Sequence, residues 1–334
     1  MKIGLSGSSM NNKEYLSGSA TPMVGFMNEL IQQGHNVMWL EKNPDQTAID
    51  FSPVPVVEFS ISNLPTLPNK LDLDLLIIQN WCFNPSLLAK TFKKHGTNIF
   101  FWDDNTPFAI ERLLKAVPFV DKILTHGDGA AEILMEYIPV KKLEVFYFAT
   151  DPNRFKYEPS SEFETDIVFV GANIKERVSN LKQVFFNPSL KLREYMFGLY
   201  GSGWQNWEHL KDFPIDYRGW INNEDLNKAF SNATISINAT RKTFQRINCV
   251  PSNRIFDTMA SGTVLLSDPI PGIEKLFKIG EELLIAQSME DATDQIKYIL
   301  EHPKMAKAIR THAREKILLE HTWRHRIQQL GLIK

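Results

Sequence analysis

The most informative segment of the sequence is residues 235–268, ISINATRKTFQRINCVPSNRIFDTMASGTVLLSD. It begins inside an apolar run, 234–238, that predicts a buried strand, and residues 253–261 carry apolar side chains at helical spacing. Gly262 then permits a tight turn into a second apolar run, 264–267. A strand, a helix and a strand in this order predict a parallel βαβ unit.

The same alternation continues outward from this stretch in both directions. Further strands are predicted at 2–5, 36–40, 74–79, 98–102, 122–125, 143–148, 166–170, 196–200, 215–217 and 283–285. Helices are predicted at 21–33, 85–95, 130–137, 175–185, 223–231, 289–301 and 304–329. Nearly continuous apolar strands that alternate with helices indicate parallel sheets covered on both faces.

The chain is long enough for two domains, since 334 residues exceed what one hydrophobic core usually serves. Prolines and charges interrupt the pattern at 150–163, so we place the domain boundary between residues 157 and 158. The two α/β halves are either unrelated modules or twin Rossmann-like domains that face each other across a cleft. In the second case, ligands bind beyond the carboxyl ends of the strands.

Composition narrows the class of protein. Hydrophobic residues make up 43% and charged residues 23%, which excludes a disordered or fibrous chain, and a net charge of −2 demands no polyanionic partner. Cys82 and Cys249 match no metal-binding spacing. With no signal-like segment and no run of eighteen apolar residues, we expect a cytoplasmic protein that is not inserted in a membrane.

Polar and small residues follow the predicted strands of the first half. Ser6 and Gly7 open a small-residue loop, 6–9, that could admit a donor ligand, although the full dinucleotide fingerprint is missing. Asp103, Asp104 and His126 also follow strands and are our candidate catalytic residues, as an acid–base group or as ligands for sugar hydroxyls. The alternatives are a surface loop, helix capping and a structural histidine.

The second half has a richer series of strand-end residues. Glycine loops, an aromatic ring and guanidinium groups are the chemistry that a nucleoside diphosphate requires. The candidates for donor binding in this first group are Gly171, Asn173, Arg177, Gly201, Trp204 and Arg218. Each of them taken singly is nearly as well explained by a simple turn, so the argument depends on their recurrence at strand ends.

Residues of the opening stretch complete the donor-binding set. Arg241 lies just beyond a strand, and Ser252, Asn253 and Arg254 lie at the start of a helix, whose free N–H groups and dipole attract anions. Asp257, one turn later, is placed to bind ribose or sugar hydroxyls.

Residues 252–268 resemble the spore-maturation CgeB-like glycosyltransferases, of the glycosyl transferases group 1 kind. That family has an Arg-x-Phe-Glu-x-x-Ala-x-Gly block before an apolar strand, and here Arg254, Phe256, Ala260 and Gly262 match it. Asp257 stands where the family usually has glutamate. The resemblance covers roughly residues 100–330 and is strongest over 165–268.

The resemblance implies a GT-B fold, two Rossmann-like domains facing across a cleft. It implies an acceptor domain at 1–157, with a terminal helix at 318–334 that packs back on it, and a nucleotide-sugar domain at 158–317. It also implies no metal and no cofactor, the nucleotide sugar being a substrate. Related retaining families carry two glutamates eight positions apart, where this chain has Cys249 and Asp257, so the stereochemical outcome stays open.

The leading hypothesis is therefore a glycosyltransferase with a nucleotide-sugar donor, UDP being the default nucleotide. The alternatives are a nucleotide-sugar epimerase of the same fold, a non-catalytic nucleotide-sugar-binding protein and a two-domain NAD enzyme. The acceptor could be a glycan, a protein, a small metabolite or a modified base in phage DNA. DNA would need phosphate contacts. The candidate residues for these contacts are Lys90, Lys93, Lys94, Lys141 and Lys142.

Overall fold

The computed structural model describes residues 1–8, 20–42 and 54–333. Within it the chain divides into two compact units. Unit 1 consists of residues 1–147 together with 323–334, and unit 2 of residues 148–322.

Seven strands of the described residues form one parallel sheet in unit 1. They are β1 (Lys2–Ser6), β2 (Asn36–Lys42), β3 (Val56–Phe59), β4 (Leu75–Gln79), β5 (Asn98–Asp103), β6 (Lys122–Thr125) and β7 (Leu143–Val145). The spatial order is β3-β2-β1-β4-β5-β6-β7. The helices between them are α1 (Ala20–Gln32), α2 (Leu67–Leu71), α3 (Pro85–Lys93), α4 (Ile110–Ala116) and α5 (Asp128–Met135).

Unit 2 repeats this plan with a six-stranded parallel sheet in the part of the chain that the structure describes. Its strands are β8 (Thr165–Val170), β9 (Phe197–Tyr200), β10 (Ile215–Tyr217), β11 (Ala233–Asn238), β12 (Val264–Ser267) and β13 (Leu284–Ile285). Their order is β10-β9-β8-β11-β12-β13. The helices are α6 (Lys175–Leu181), α7 (Asn187–Lys191), α8 (Leu226–Ser231), α9 (Asn253–Ala260), α10 (Met289–Glu301) and α11 (Pro303–Glu320), and a π-helical turn, Lys182–Phe186, extends α6.

Both sheets have the doubly wound strand order of Rossmann-like domains, which confirms the predicted fold class. The direction of winding reverses between β1 and β4 in unit 1 and between β8 and β11 in unit 2. Loops diverge at such a switch point and leave a crevice beyond the carboxyl ends of the two strands. In each unit, therefore, the residues that follow these two strands are the first place to look for a ligand.

One predicted helix is wrong. Residues 304–329 form two helices, α11 and α12 (Trp323–Gln329), that are separated by His321 and Thr322. The His321 ring packs against Phe256 and Phe277, with centroids 5.5 and 5.0 Å apart, and its backbone carbonyl accepts a hydrogen bond from the Thr150 N–H. These long-range contacts end α11 where the sequence has no glycine or proline.

The chain enters unit 2 ten residues before the boundary that we placed at 157/158. Thr150 Oγ1 donates to Asp257 Oδ1 at 2.8 Å, and an Arg154 guanidinium nitrogen donates to the Asn223 carbonyl at 2.7 Å. These contacts make residues 148–157 part of unit 2, although their proline and charged residues are typical of a linker.

The last helix, α12, belongs to unit 1. Its Trp323 packs edge-on against Phe26 and Trp102, with ring centroids 5.8 and 5.6 Å apart. The aromatic cluster also includes Phe146, and all four rings are buried. None of the helices in the described residues combines the length and the apolar character that crossing a lipid bilayer requires.

Candidate functional site

The site in unit 2 begins with two glycine loops that lie against each other, after β8 and after β9. The Gly171 N–H donates to the Tyr200 carbonyl at 2.9 Å. Gly201 has a φ of +135°, and a Cβ atom there would lie 2.2 Å from the Gly171 carbonyl oxygen, so only glycine fits. Asn173 joins the same loops, because its N–H donates to the Ser202 carbonyl at 2.9 Å and its side-chain amide to the Gly203 carbonyl at 3.2 Å.

Arg254, in the first turn of α9, reaches across to this pair of loops. Its Nε donates to the Val170 carbonyl and its Nη1 to Asn238 Oδ1, both at 3.0 Å. The Ser252 hydroxyl donates to the same Asn238 oxygen at 3.0 Å. A methyl group on Gly171 would lie 2.7 Å from Arg254 Nη2, so the glycine lets the guanidinium approach the backbone closely.

Arg177, on α6, converges on the same place. Its Nη1 would lie 2.9 Å from a methyl group on Gly171, and both its guanidinium and that of Arg254 lie over the Phe169 ring, at 5.9 and 5.0 Å from the centroid. Its Nε is buried, and none of the described residues offers it a hydrogen-bond acceptor. Burial, and then repulsion by Arg254 and Arg241, hold the pKa of Arg177 well below its ordinary value.

Carboxylates balance this positive charge only in part. Asp268, after β12, accepts hydrogen bonds from the Thr240 N–H and hydroxyl and from Gln245 Nε2, and burial raises its pKa to about 6. Burial also lowers the pKa of Arg254 to about 10, against the attraction of Asp268 and then of Asp257. Arg177 and Arg254, with Arg241 close enough to repel Arg177, thus lie near two buried carboxyl groups, Asp268 and Asp257, whose ionisation is opposed by burial. The arrangement favours a strongly anionic ligand, such as a diphosphate, at the switch point.

The side chains of Asp257 and Asn253 are hydrogen-bonded to each other rather than facing outward. Burial raises the pKa of Asp257 to about 7. One of its oxygens accepts from Thr150 and the other from the Asn253 amide. Because Asp257 is only 3% exposed, its predicted contact with ribose or sugar hydroxyls is not supported in this arrangement. It holds the start of α9 against the segment that enters unit 2.

Two other predicted donor-binding residues have structural roles. Trp204 is 1% exposed, lies in the core of unit 2 and donates from Nε1 to the Gly171 carbonyl at 2.7 Å, so its ring is not available to a base. Arg218 pairs with Asp216 at 2.6 Å and donates to the Tyr200 hydroxyl at 3.1 Å and to the Glu164 carbonyl at 3.1 Å. The Trp204 ring is buried in the core, and the Arg218 guanidinium is held by its protein partners, so neither contact supports donor binding.

In unit 1, Ser6 is the last residue of β1 and Gly7 follows it at the switch point, but the Ser6 hydroxyl is buried and donates to the Leu40 carbonyl at 2.9 Å. The predicted small-residue loop, 6–9, extends to Ser9, which lies outside the described residues. Its described end meets β4 through Gln79, whose Oε1 accepts from the Ser8 N–H at 3.4 Å. Ser6 is thus a structural residue.

Asp103 is also a structural residue, contrary to our catalytic assignment. It is completely buried. Its oxygens accept from Asn80 Nδ2 at 2.8 Å, from Thr125 Oγ1 at 3.2 Å and from the Thr106 N–H at 3.2 Å. These bonds hold the carboxyl ends of β4, β5 and β6 together and leave the carboxylate no room to act on a substrate.

Asp104 and His126 lie beside it. Asp104 is partly exposed, and its Oδ2 accepts from Gln79 Nε2 at 2.7 Å. His126 Nδ1 is 3.2 Å from the Asp103 carbonyl oxygen, which can only accept, so Nδ1 carries the proton of the neutral ring. Burial lowers the pKa of His126, against the attraction of Asp103, and keeps the ring neutral at pH 7. Both remain candidates for acid–base chemistry.

Three residues of these sites were absent from the predicted set: Asn238, Asp268 and Gln79. Each is the last residue of a strand or the residue that follows it. Asn238 and Asp268 also lie within residues 235–268, the segment quoted first above. Their position at the carboxyl ends was the available signal. In the described ranges, no group of three or more histidine, cysteine, aspartate or glutamate side chains is arranged to hold a metal ion.

The chain is similar in sequence or in fold to several known proteins. Residues 180–331 match the model of the family described as Glycosyl transferase-like, and the match includes α9 with Arg254. No curated protein matches the sequence.

Solved structures similar to the chain cover nearly all of it. A sucrose-phosphate synthase from Thermosynechococcus elongatus is 14% identical with a TM-score of 0.71, over 99% of this chain and 97% of that one. Anabaena Alr3699/HepE, in complex with UDP-glucose, is 12% identical with a TM-score of 0.73, over 99% and 98%. A DNA-modifying β-glucosyltransferase is 14% identical with a TM-score of 0.67, over 100% and 99%. The chain has the GT-B fold.

Proposed function

We propose that this protein is a glycosyltransferase that transfers a sugar from a nucleotide-sugar donor to an acceptor hydroxyl. Unit 2 binds the donor, and its diphosphate lies at the carboxyl ends of β8 and β11. The nucleotide is the leaving group of such a transfer, so charge builds up on the diphosphate as the glycosidic bond to it breaks. Fixed positive groups that stabilise this charge accelerate the reaction.

The observation that carries the proposal is the convergence of Arg177 and Arg254 on Gly171. Both guanidiniums approach the loop after β8, and Arg254 is held there by the Val170 carbonyl and the Asn238 side chain. Burial, and then repulsion by Arg254 and Arg241, lower the pKa of Arg177, so an anion that relieves the repulsion is bound favourably.

UDP is the nucleotide that we propose. The support is that Alr3699/HepE, a protein of the same fold, has been solved with UDP and with UDP-glucose. The sugar is left open. We also propose that the reaction needs no cofactor, because the arginines and the N-terminus of α9 supply the charge stabilisation that the departing diphosphate requires.

In unit 1, Asp104 and His126 remain our candidates for handling the acceptor proton. Asp104 is the better of the two, because the residue is partly exposed whereas His126 is 2% exposed. The burial of Asp103 weighs against an epimerase, since that reaction would draw on more accessible acid–base groups.

DNA stays a secondary acceptor. The DNA-modifying β-glucosyltransferase of the same fold favours it. Three of the candidate lysines are engaged within the protein, however. Lys93 pairs with Asp121 at 2.5 Å, Lys142 donates to the Val120 carbonyl at 2.7 Å, and Lys90 lies 5.9 Å from the centre of the Phe119 ring. The affiliation with the CgeB-like group remains a prediction from the motif.

The experiment that tests the proposal is incubation of the protein with a panel of nucleotide sugars, followed by mass spectrometry of the products. We expect one UDP-sugar to be cleaved to UDP by the native protein, and the Arg254→Ala variant to cleave it far more slowly. If the folded native protein cleaves no nucleotide sugar, with or without added acceptors, and binds no nucleoside diphosphate, the proposal is wrong.

A further inference from the structure

A cationic cavity opens on unit 2, with neither Arg177 nor Arg254 in its lining. Its volume is about 530 Å³, and it is lined by Asn173, Trp207 and three lysines, Lys175, Lys182 and Lys242. The lysines come from α6, from the π-helical turn that follows it and from the loop after β11. Segments far apart in the sequence therefore bring three ammonium groups to one cavity, whose lining contains no acidic residue.

Acidic residues next to the lining residues in the sequence have other contacts. Glu176 Oε1 accepts from the Thr243 hydroxyl at 3.3 Å. Glu208 and Asp212, which flank the Trp207 segment, lie 3.7 and 3.4 Å from the two nitrogens of His209. Across the described parts of the chain, none of the three lysines has a carboxylate within 4.0 Å, so their charges are not neutralised by the protein.

Trp207 forms a rigid wall of the cavity. Its ring stacks on Phe213 with centroids 6.0 Å apart and planes 10° apart, and it packs on Phe186 at 4.8 Å. Lys182 Nζ lies 5.7 Å from its centre. The indole is thus fixed by the core behind it while a partly exposed face lines the cavity. An aromatic face beside ammonium groups suits a ligand with both an apolar ring face and a negative charge.

We propose that this cavity, the lysine pocket, binds a phosphorylated small molecule of about the size of a sugar phosphate. Lysine ammonium groups bind phosphate as point charges. The volume falls in the range of small-molecule sites, roughly 300–1,000 Å³. A nucleic acid would instead need cationic groups spread along a groove to follow its backbone. Neither Arg177 nor Arg254 lines the pocket, although Asn173 belongs both to its lining and to the loops of the donor site.

The test is calorimetric titration of glucose 6-phosphate, with glucose as the uncharged comparison, into protein saturated with UDP. Saturation keeps the phosphate out of the arginine site. We expect glucose 6-phosphate to bind and glucose not to bind. Replacing Lys175, Lys182 and Lys242 together by alanine should weaken glucose 6-phosphate binding by about tenfold or more and leave UDP binding unchanged. The matched control replaces Lys156, Lys304 and Lys307, three exposed lysines of unit 2, and should bind like the native protein.

Equal binding by the pocket variant and the control overturns the proposal, as does a native protein that binds neither glucose 6-phosphate nor inorganic phosphate. Tighter binding of a single-stranded oligonucleotide, lost in the same variant, overturns the small-molecule assignment. If the native protein binds no UDP, the titration is repeated in an Arg177→Ala, Arg254→Ala background. Failure of the donor proposal therefore remains distinguishable from failure of this one.

Discussion

Arg254 Nε donates a hydrogen bond to the backbone carbonyl of Val170 at 3.0 Å. Val170 is the last residue of β8 and Arg254 lies in the first turn of α9, so the contact joins the helix N-terminus to the loop that contains Gly171. Positive groups that are already fixed in place need little reorganisation when charge develops on a leaving diphosphate.

Gly201→Ala should displace the loop after β8. The added methyl group would lie 2.2 Å from the Gly171 carbonyl oxygen, at a φ of +135°. We expect a loss of roughly 1–3 kcal/mol in the free energy of unfolding, together with weaker UDP binding. Gly280→Ala is the control, because φ there is also positive, at +85°, but the methyl group enters open space. If both variants bind UDP like the native protein, the two loops do not shape the donor site.

Asp257→Asn should stabilise the protein at high pH. Burial raises the pKa of Asp257 from 3.8 to about 7, so the folded chain binds this proton more tightly than the unfolded chain. The free energy of unfolding therefore falls as pH rises from about 4 to about 7, and this contribution is constant above that. Asparagine removes the charge, and the buried Asn253 Oδ1, which has no partner among the described residues, can accept from its amide after a flip.

We expect the Asp257→Asn variant to exceed the native protein by roughly 1–3 kcal/mol at pH 8, with a gap that narrows toward pH 5. Urea unfolding at several pH values measures it. Asp268, whose raised pKa acts in the same direction, is present in both proteins, so the comparison isolates Asp257. A gap that widens toward pH 5 would contradict the assignment.

Asp104→Asn should change catalysis, whereas Asp103→Asn should change stability. Asp104 is partly exposed, so its substitution should lower kcat while the Kd of UDP changes little. Asp103 is buried and accepts hydrogen bonds that join three strand ends, so its substitution should lower Tm, at a cost of about 1–3 kcal/mol. Steady-state kinetics and thermal unfolding separate the two effects. An Asp104→Asn enzyme with native kcat would remove Asp104 from the mechanism.

Chelation should leave activity unchanged, because the proposed stabilisation of the diphosphate comes from Arg177, Arg254 and the N-terminus of α9. The measurement is the rate of donor cleavage before and after treatment with EDTA. Activity that is lost in EDTA and restored by manganese would show that a divalent cation shares this role.

The extent to which the sequence predicted the structure follows from how local each feature is. The βαβ unit around α9 was predictable, because helical spacing and Gly262 are signals within a few residues. The break after α11 was not, because it depends on the packing of His321 against Phe256 and Phe277, distant in sequence. Patterns within a few residues cannot predict contacts between residues that are distant in the sequence.

The site residues divide in the same way. Positions at strand ends were predictable, since parallel strands bring their carboxyl ends to one edge of the sheet. The direction of a side chain at such an end was not, which is why Trp204 was assigned to the ligand although its ring packs in the core. Asp268 and Gln79 were missed because their partners lie after other strands, Thr240 after β11 and Asp104 after β5, and a single strand end does not show them.

The most direct test of the donor site is calorimetric titration of UDP and of uridine into the native protein and the Arg254→Ala variant. Arg193→Ala, which removes an exposed arginine of the same unit, is the matched control. If the arginine site binds the diphosphate, the native protein and the control bind UDP much more tightly than uridine. Arg254→Ala then loses roughly 2–4 kcal/mol of UDP binding while its affinity for uridine stays the same. A folded Arg254→Ala protein that binds UDP with native affinity would contradict the assignment of the donor site.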